Sequence, residues 1–380
     1  MRSWWVLLWS IFVLSSMPSS ASALGWAVET PPSPAGATAA NLEGISCSNS
    51  PSSNCKAVGK YSISGTQNAL ALSWNGTSWA VQGTPELSWD ELFGTSCITS
   101  SFCVGVGTRE SGATTLAEHW NGSSWTTATT PNPGTTGRQF YGVSCTAATA
   151  CTAVGGRGGT TIQRENLAAR WNGTSWSAQT TPNPGDYQND LFSVSCTSST
   201  HCTAVGRQRM SNSVNWSVAM GWNGSTWATL TTPNPIGASW SELRGVSCTS
   251  STSCIAVGYS QQGGLEYPYA VHWNGTSWTL KSVPLPENAY YGYLYGVSCA
   301  TASACIAVGS YTPKGPPYPS LTYAAKWNGT SWTVETPPNP GASSNRLKAV
   351  SCLAANACKA AGDYYNSSGV RVPLIANFTG

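Results

Sequence analysis

Glu91, Asp190 and Glu242 each stand one residue ahead of a Leu that recurs along the chain. Two carboxylates roughly 5 to 9.5 Å apart around one glycosidic bond are the equipment of a glycoside hydrolase, so these three are the candidate catalytic acids, with Asp90 next to Glu91. Arg138, Arg244 and Arg346 are the cations that could receive a substrate carboxylate. The fuller set preceding the recurring Leu, or Phe140 in its place, is Asn41, Glu91, Gln139, Asp190, Glu242, Tyr293 and Arg346. Mixed polar side chains at equivalent points of a repeat are expected to surround an opening. A second candidate set is aromatic: Trp89, Trp216, Trp240, Tyr267, Tyr269, Tyr290, Tyr291 and Tyr293. Exposed Tyr and Trp offer rigid area with a polar handle, which suits sugars and peptides; the competing reading is that their loops tuck these rings inward. No Ser-His-Asp arrangement or phosphate-cradling Gly loop is present, and His119, His201 and His272 lie in different units. Neither a metal nor a cofactor is expected.

These residues hang on a repeat. Seven times a Ser-Cys pair is followed by a second cysteine and then a short apolar run ending in Gly, except that Ala replaces Val in the last copy. Cys47 goes with Cys55, Cys97 with Cys103, Cys145 with Cys151, Cys196 with Cys202, Cys248 with Cys254, Cys299 with Cys305 and Cys352 with Cys358, which uses all 14 cysteines. Leading cysteines lie 48 to 53 residues apart, a period that marks stacked supersecondary units. Arg2, the apolar stretch from Trp4 to Met17 and Ala21-Ser22-Ala23 read as an export signal over residues 1–23, with the mature chain starting at Leu24. In an exported chain the cysteine pairs are expected as disulfides, each closing a short loop worth about 2 kcal/mol by chain entropy. Only 9% of residues are charged, with 18 Lys and Arg against 15 Asp and Glu and no basic cluster, so nucleic acid is not the expected partner. No segment after the leader reaches the length of a membrane span, so stable membrane insertion is not expected either, and the chain reads as a monomer.

Each unit predicts four short strands. In the fifth they are Leu243–Cys248, Cys254–Tyr259, Tyr269–Trp273 and 276–283, each a β-prone run bounded by Gly, Pro or Asn. Asn-Gly between Trp-flanked runs, as at Asn75-Gly76 and Asn274-Gly275, predicts a type I′ hairpin with positive φ at both residues. Trp pairs such as Trp74 with Trp79 and Trp171 with Trp176 are expected to pack across it. There are six such hairpins but seven cysteine pairs. The chain ends Leu374-Ile375-Ala376-Asn377-Phe378-Thr379-Gly380, which stops at the turn, while Gly25 to Pro31 matches the strand that should follow. Two ends that add up to one unit predict a closed all-β fold over residues 24–380. The expectation is a single seven-bladed β-propeller of four-stranded blades, the seventh made of 347–380 plus 24–31.

The Gly-x-Ser-Trp end of each hairpin (Gly76, Ser78 and Trp79 in the first) resembles the second half of the Asp-box of sialidase-like propellers, although Trp74 stands where the Asp would be. As a whole the chain resembles secreted bacterial tandem-repeat propellers built on Trp-Asn-Gly-Thr-Ser-Trp, a likeness that implies a fold rather than an activity. Three functions compete. One is a secreted module binding glycans or a cell-surface or extracellular protein through its variable aromatic face. Another is a sialidase-like hydrolase or lyase using the carboxylates, and a third is an envelope structural element. Convergence of the three carboxylates in one pocket beside an Arg favours the enzyme; an aromatic platform favours binding.

Overall fold

The computed structural model describes residues 25–48, 54–85, 89–159, 163–211, 214–341 and 343–380; the expected leader lies outside the described residues. The chain is all-β, with helix limited to one 3₁₀ turn at Glu110–Gly112 among the described residues. Its unit is a four-stranded antiparallel meander, as in Trp240–Ser250, Ser253–Gln262, Leu265–Trp273 and Trp278–Ser282. Five sheets have this four-stranded form, and an eight-stranded one consists of two such units joined by the single parallel pair Arg164↔Gln188. The strand Gly25–Glu29 adds to the outer edge of the last sheet with Trp26 opposite Phe378, the pairing expected from the two chain ends. Their rings stand 5.1 Å apart.

All seven expected cysteine pairs are disulfides. Cys47 is bonded to Cys55, Cys97 to Cys103, Cys145 to Cys151, Cys196 to Cys202, Cys248 to Cys254, Cys299 to Cys305 and Cys352 to Cys358. In each pair the two residues stand directly opposite one another on the first and second strands. The second cysteines, Cys55, Cys103, Cys151, Cys202, Cys254, Cys305 and Cys358, are all buried and pack into the core clusters. Of the first cysteines only Cys145 is buried, and the other six are half-buried. The bonds are therefore staples of the frame, and no cysteine is left as a free thiol.

The core lies between neighbouring sheets rather than within one. Leu42, Leu70 and Leu72 of the first sheet, for example, pack with Ala361 and Ile375 of the last. The Ser of each Ser-Cys pair is a second tie, because its hydroxyl accepts the backbone N–H of the next unit's leading Cys. Ser46 takes that of Cys97 at 2.9 Å, Ser247 that of Cys299 at 3.0 Å, and Ser351 of the last unit that of Cys47 in the first at 3.0 Å. The Asn of the Pro-Asn-Pro that follows the fourth strand folds back on its own sheet. Asn132 and Asn339 accept the N–H of Thr115 and Thr322 at 2.8 and 2.7 Å, which satisfies third-strand donors left open where the outer strand ends.

The Asn-Gly turn differs from expectation. Trp74 pairs directly with Trp79, so the connection holds four residues, and only Gly76 has positive φ, at 102°. The Asn75 side chain accepts the N–H of Thr77 and Ser78 at 2.9 and 2.8 Å, and this side-chain cap replaces the backbone geometry of a two-residue turn. The Trp rings pack as expected, with Trp74 and Trp79 5.5 Å apart and Trp171 and Trp176 5.8 Å apart.

Candidate functional site

In a regular strand, side chains on one face recur every second residue. Here Leu243 and Val246 share one core although they are three apart, as do Leu42 and Ile45. The extra residue is a β-bulge. In every unit the ladder slips after the recurring Leu or Phe, at Leu42/Gly44, Leu92/Gly94, Phe140/Gly142, Leu191/Ser193, Leu243/Gly245, Leu294/Gly296 and Leu347/Ala349. A bulge leaves one residue unpaired and re-aims its side chain. The seven residues so displaced are Glu43, Phe93, Tyr141, Phe192, Arg244, Tyr295 and Lys348. Together with Arg346 they line one cavity of about 300 Å³.

This corrects the expected opening. Of Asn41, Glu91, Gln139, Asp190, Glu242, Tyr293 and Arg346, only Arg346 lines that cavity. The others stand two residues back along their strands, and two of them hydrogen-bond cavity residues directly. Asn41 donates to Glu43 at 2.6 Å, and Glu242 accepts from Arg244 Nε at 2.7 Å. Asp190 takes Arg164 at 2.7 Å and Arg207 at 3.3 Å; Arg207 also reaches Glu242, at 3.6 Å. Glu91 pairs with Lys60 at 3.0 Å. The candidate carboxylates are thus each clamped by cations of the protein itself. Of the three arginines considered for a substrate carboxylate, Arg244 and Arg346 meet at the cavity, whereas Arg138 is spent on the carbonyls of Pro133, Gly134 and Ala113.

The cavity wall divides by chemistry. One arc is aromatic, with Phe93 to Tyr141 at 5.6 Å and Tyr141 to Phe192 at 5.5 Å. Arg244 then lies 4.1 Å over Phe192 and donates to the Tyr259 hydroxyl at 3.1 Å. Burial works against its charge, but the Glu242 carboxylate and the Tyr259 hydroxyl together outweigh burial and hold the guanidinium above its ordinary pKa. The other arc is ionic: buried Asp363 receives Arg371 at 2.9 Å, Arg346 at 3.0 Å and Lys348 at 3.4 Å, and Lys348 also pairs with Glu43. Burial raises the Asp363 pKa, but its three cations outweigh burial and hold it below the ordinary carboxylate value of 3.8. Its contribution to stability is therefore fully present above 3.8 and disappears as pH falls through the lower folded value. Asp363→Ala leaves three cations facing one another. We expect it to cost about 3 kcal/mol in denaturant unfolding, with part of the loss restored by salt.

Tyr295 links the cavity to the surface. It stacks on Tyr293 at 5.9 Å; Tyr293 meets Tyr291 at 5.8 Å, and Tyr291 meets Tyr290 at 5.7 Å. Tyr259 joins from the neighbouring sheet, 4.8 Å from Tyr293 and 5.6 Å from Trp240. Glu266 accepts from the Tyr293 hydroxyl at 3.4 Å, and burial and then that carboxylate push the phenol above its ordinary pKa. Tyr290 is 44% exposed, so the line of rings runs from solvent to the cavity. The other expected aromatics stand apart from this line: Trp89 is exposed, while Trp216 and Tyr267 are half-buried. Tyr269 is a correction. It is only 4% exposed and packs in the core with Val271 and Leu243, because it occupies the position that Leu70 and Leu116 hold in other units.

No protein-family model matches the sequence, and no curated protein matches it. Solved structures do. YCF48 bound to D1 peptide aligns with TM-score 0.53 and 13% identity, over 93% of this chain and 97% of that one. The WD40 repeats of RRP9 align with TM-score 0.57 and 8% identity, over 93% and 100%. The GH74 xyloglucanase from Xanthomonas campestris aligns with TM-score 0.56 and 11% identity, over 92% and 55%. The chain has a β-propeller fold. At such identities the likeness is one of fold, and propellers carry unrelated functions on one scaffold.

The propeller residues that sequence reasoning missed are the bulged ones, Glu43, Phe93, Tyr141, Phe192, Tyr295 and Lys348 above all. A signal for them exists in the sequence: the three-residue step from the recurring Leu to the next core residue, as from Leu243 to Val246, cannot be made by an unbroken strand.

Proposed function

We propose that residues 24–380 form one secreted, monomeric seven-bladed propeller, its last blade completed by the N-terminal strand, and that it is a binding module for extracellular glycans. Closure is supported by the tie from Ser351 to Cys47 and by the pairing of Trp26 with Phe378. A cavity to which all seven first strands contribute supports it as well. Seven disulfides fit an oxidising, extracellular setting.

The observation that carries the binding reading is the unbroken line of rings from Tyr290 through Tyr291 and Tyr293 to Tyr295. Aromatic faces receive the apolar faces of sugar rings, and the phenols supply hydrogen bonds at little cost in side-chain entropy. An extracellular or cell-surface protein is the second reading, favoured by the excess of cations beside the cavity, where Arg346, Lys348 and Arg371 share only Asp363 and Glu43, a balance that suits an acidic segment. Hydrolase or lyase chemistry is less favoured, because Glu91, Asp190 and Glu242 are each occupied by cations of the chain.

A glycan array that includes peptidoglycan fragments tests the reading. We expect retention of a defined glycan class and a loss of about tenfold in affinity in Tyr291→Ala, about 1.4 kcal/mol for one lost aromatic contact. Uniform absence of retention across the array removes the glycan form of the proposal.

A further inference from the structure

The first Trp of each hairpin, or Phe378 in its place, meets a basic side chain from the preceding unit at six of seven junctions. Lys56 lies 3.6 Å over Trp120, Arg170 4.9 Å over Trp222, Lys326 5.0 Å over Phe378 and Lys359 4.1 Å over Trp74. The imidazoles of His119 and His272 stand edge-on 4.4 Å from Trp171 and Trp327. These groups come from two sequence positions: the residue after the second cysteine, and the residue before the Trp. In the fourth unit those positions hold Thr203 and Gly221. Thr203 turns its hydroxyl to Cys254 Sγ at 3.7 Å, and Gly221 has no side chain. Among the described residues no Lys, Arg or His ring is set against Trp273. A groove of about 400 Å³ lies there, walled by Leu230 and Ala228 and by the hydroxyl-bearing Thr197, Thr203 and Ser250; the junction where Arg170 covers Trp222 has a groove of its own, so what distinguishes this one is the ring without a basic partner. It lies at the cysteine-gap end of the strands, opposite the aromatic line.

We propose that this groove binds a guanidinium group from outside the chain, stacked on Trp273 where Arg170 stacks on Trp222. A planar, weakly hydrated cation gains most from an aromatic face, and hydroxyl oxygens around it accept its remaining N–H groups. The groove lining includes no carboxylate, so recognition rests on stacking and neutral acceptors. His201 sits at its edge, with its Nδ1 3.1 Å from the Thr200 hydroxyl.

The chain itself supplies the blocking variant. A Cβ on Gly221 would meet only Leu230 side-chain atoms, at 3.4 Å and beyond, so Gly221→Arg inserts the missing group without backbone conflict. The test follows the Trp273 indole N–H by NMR, assigned with Trp273→Phe, during titration with agmatine, N-acetylarginine methylamide and methyl glucoside. The expected result is a saturable shift with the guanidinium compounds, with Kd on the order of millimolar as one stacked cation gives. At least a tenfold weaker response is expected in Gly221→Arg and in Gly221→His, the latter copying positions 119 and 272. Stronger binding of the methylamide than of agmatine identifies a protein-borne arginine as the source; the reverse identifies a free amine. No saturable shift, an equal response to methyl glucoside, or an undiminished response in both Gly221 variants overturns the proposal. Glycan retention along the aromatic line reads a different end of the molecule, so either result can fail without the other.

Discussion

The unaltered protein is expected to lose stability between pH 4.5 and about 8, and Glu118→Gln is expected to abolish that fall. Glu118 is fully buried, and neither of its oxygens has a hydrogen-bond partner in the protein. Its position belongs to the core: the other units carry Leu72, Ala169, Met220, Val271, Ala325 and Ala376 there. Burial, and then the nearby Asp90 charge, push its pKa from 4.5 up to about 8, with Arg109 opposing. The unfolded chain releases this proton near 4.5 while the folded chain keeps it. The penalty is therefore absent below 4.5, grows as pH rises and is complete above about 8. At about 1.4 kcal/mol per pH unit the full effect is of order 5 kcal/mol. Glu118→Met, which copies Met220 and lies opposite Gly105 in the register, should also remove the cost of burying unpaired oxygens. Guanidinium unfolding at pH 5, 7 and 9 reads both variants against the unaltered chain. Parallel pH profiles for Glu118→Gln and the parent would show that this carboxyl does not titrate as described.

Gly258→Ala is expected to cost about 3 kcal/mol or more and to loosen the cavity at the same time. A Cβ on Gly258 would collide with the carbonyl oxygen of Glu242, and its other near neighbours are backbone atoms of Glu242 and Leu243. The same conflict faces Gly59 at the carbonyl of Asn41. The cause is the bulge, which presses the chain ahead of the recurring Leu onto the second strand. Backbone cannot yield as a flexible side chain can, so relief requires undoing the bulge that aims Arg244. Gly221→Ala is the control, since its Cβ would meet only side-chain atoms at ordinary separations, and a Gly-to-Ala change in a strand is otherwise mildly favourable. A shift of the Gly258→Ala denaturation midpoint no larger than that of Gly221→Ala would contradict this account.

The places of the residues singled out from the sequence have separate local causes. The expectation that the residues before the recurring Leu surround an opening fails because the bulge after Leu243 aims Arg244 at the cavity and leaves Glu242 to support it. Tyr269 belongs to the core rather than to its aromatic neighbours, as the Ala that follows it, which aligns it with Leu70, indicates. Tyr290, Tyr291 and Tyr293 crowd one variable segment, and their rings touch in series. That they continue through Tyr295 into a shared cavity depends on how seven strands converge. The Asn-Gly turn kept its place but not its type, since Asn75 spends its side chain on two backbone amides.

By itself the sequence determined the four-stranded unit, its period, the cysteine partners and the meeting of Trp26 with Phe378. Each of these follows from local spacing or from matching one unit against the next. Tertiary structure alone decided which side chains face the cavity, which carboxylates are clamped, and that the positions holding Thr203 and Gly221 are the ones that meet the Trp of the next unit. Those outcomes depend on contacts between units some 50 residues apart, where a bulge of one residue or a single Gly changes what meets across the junction.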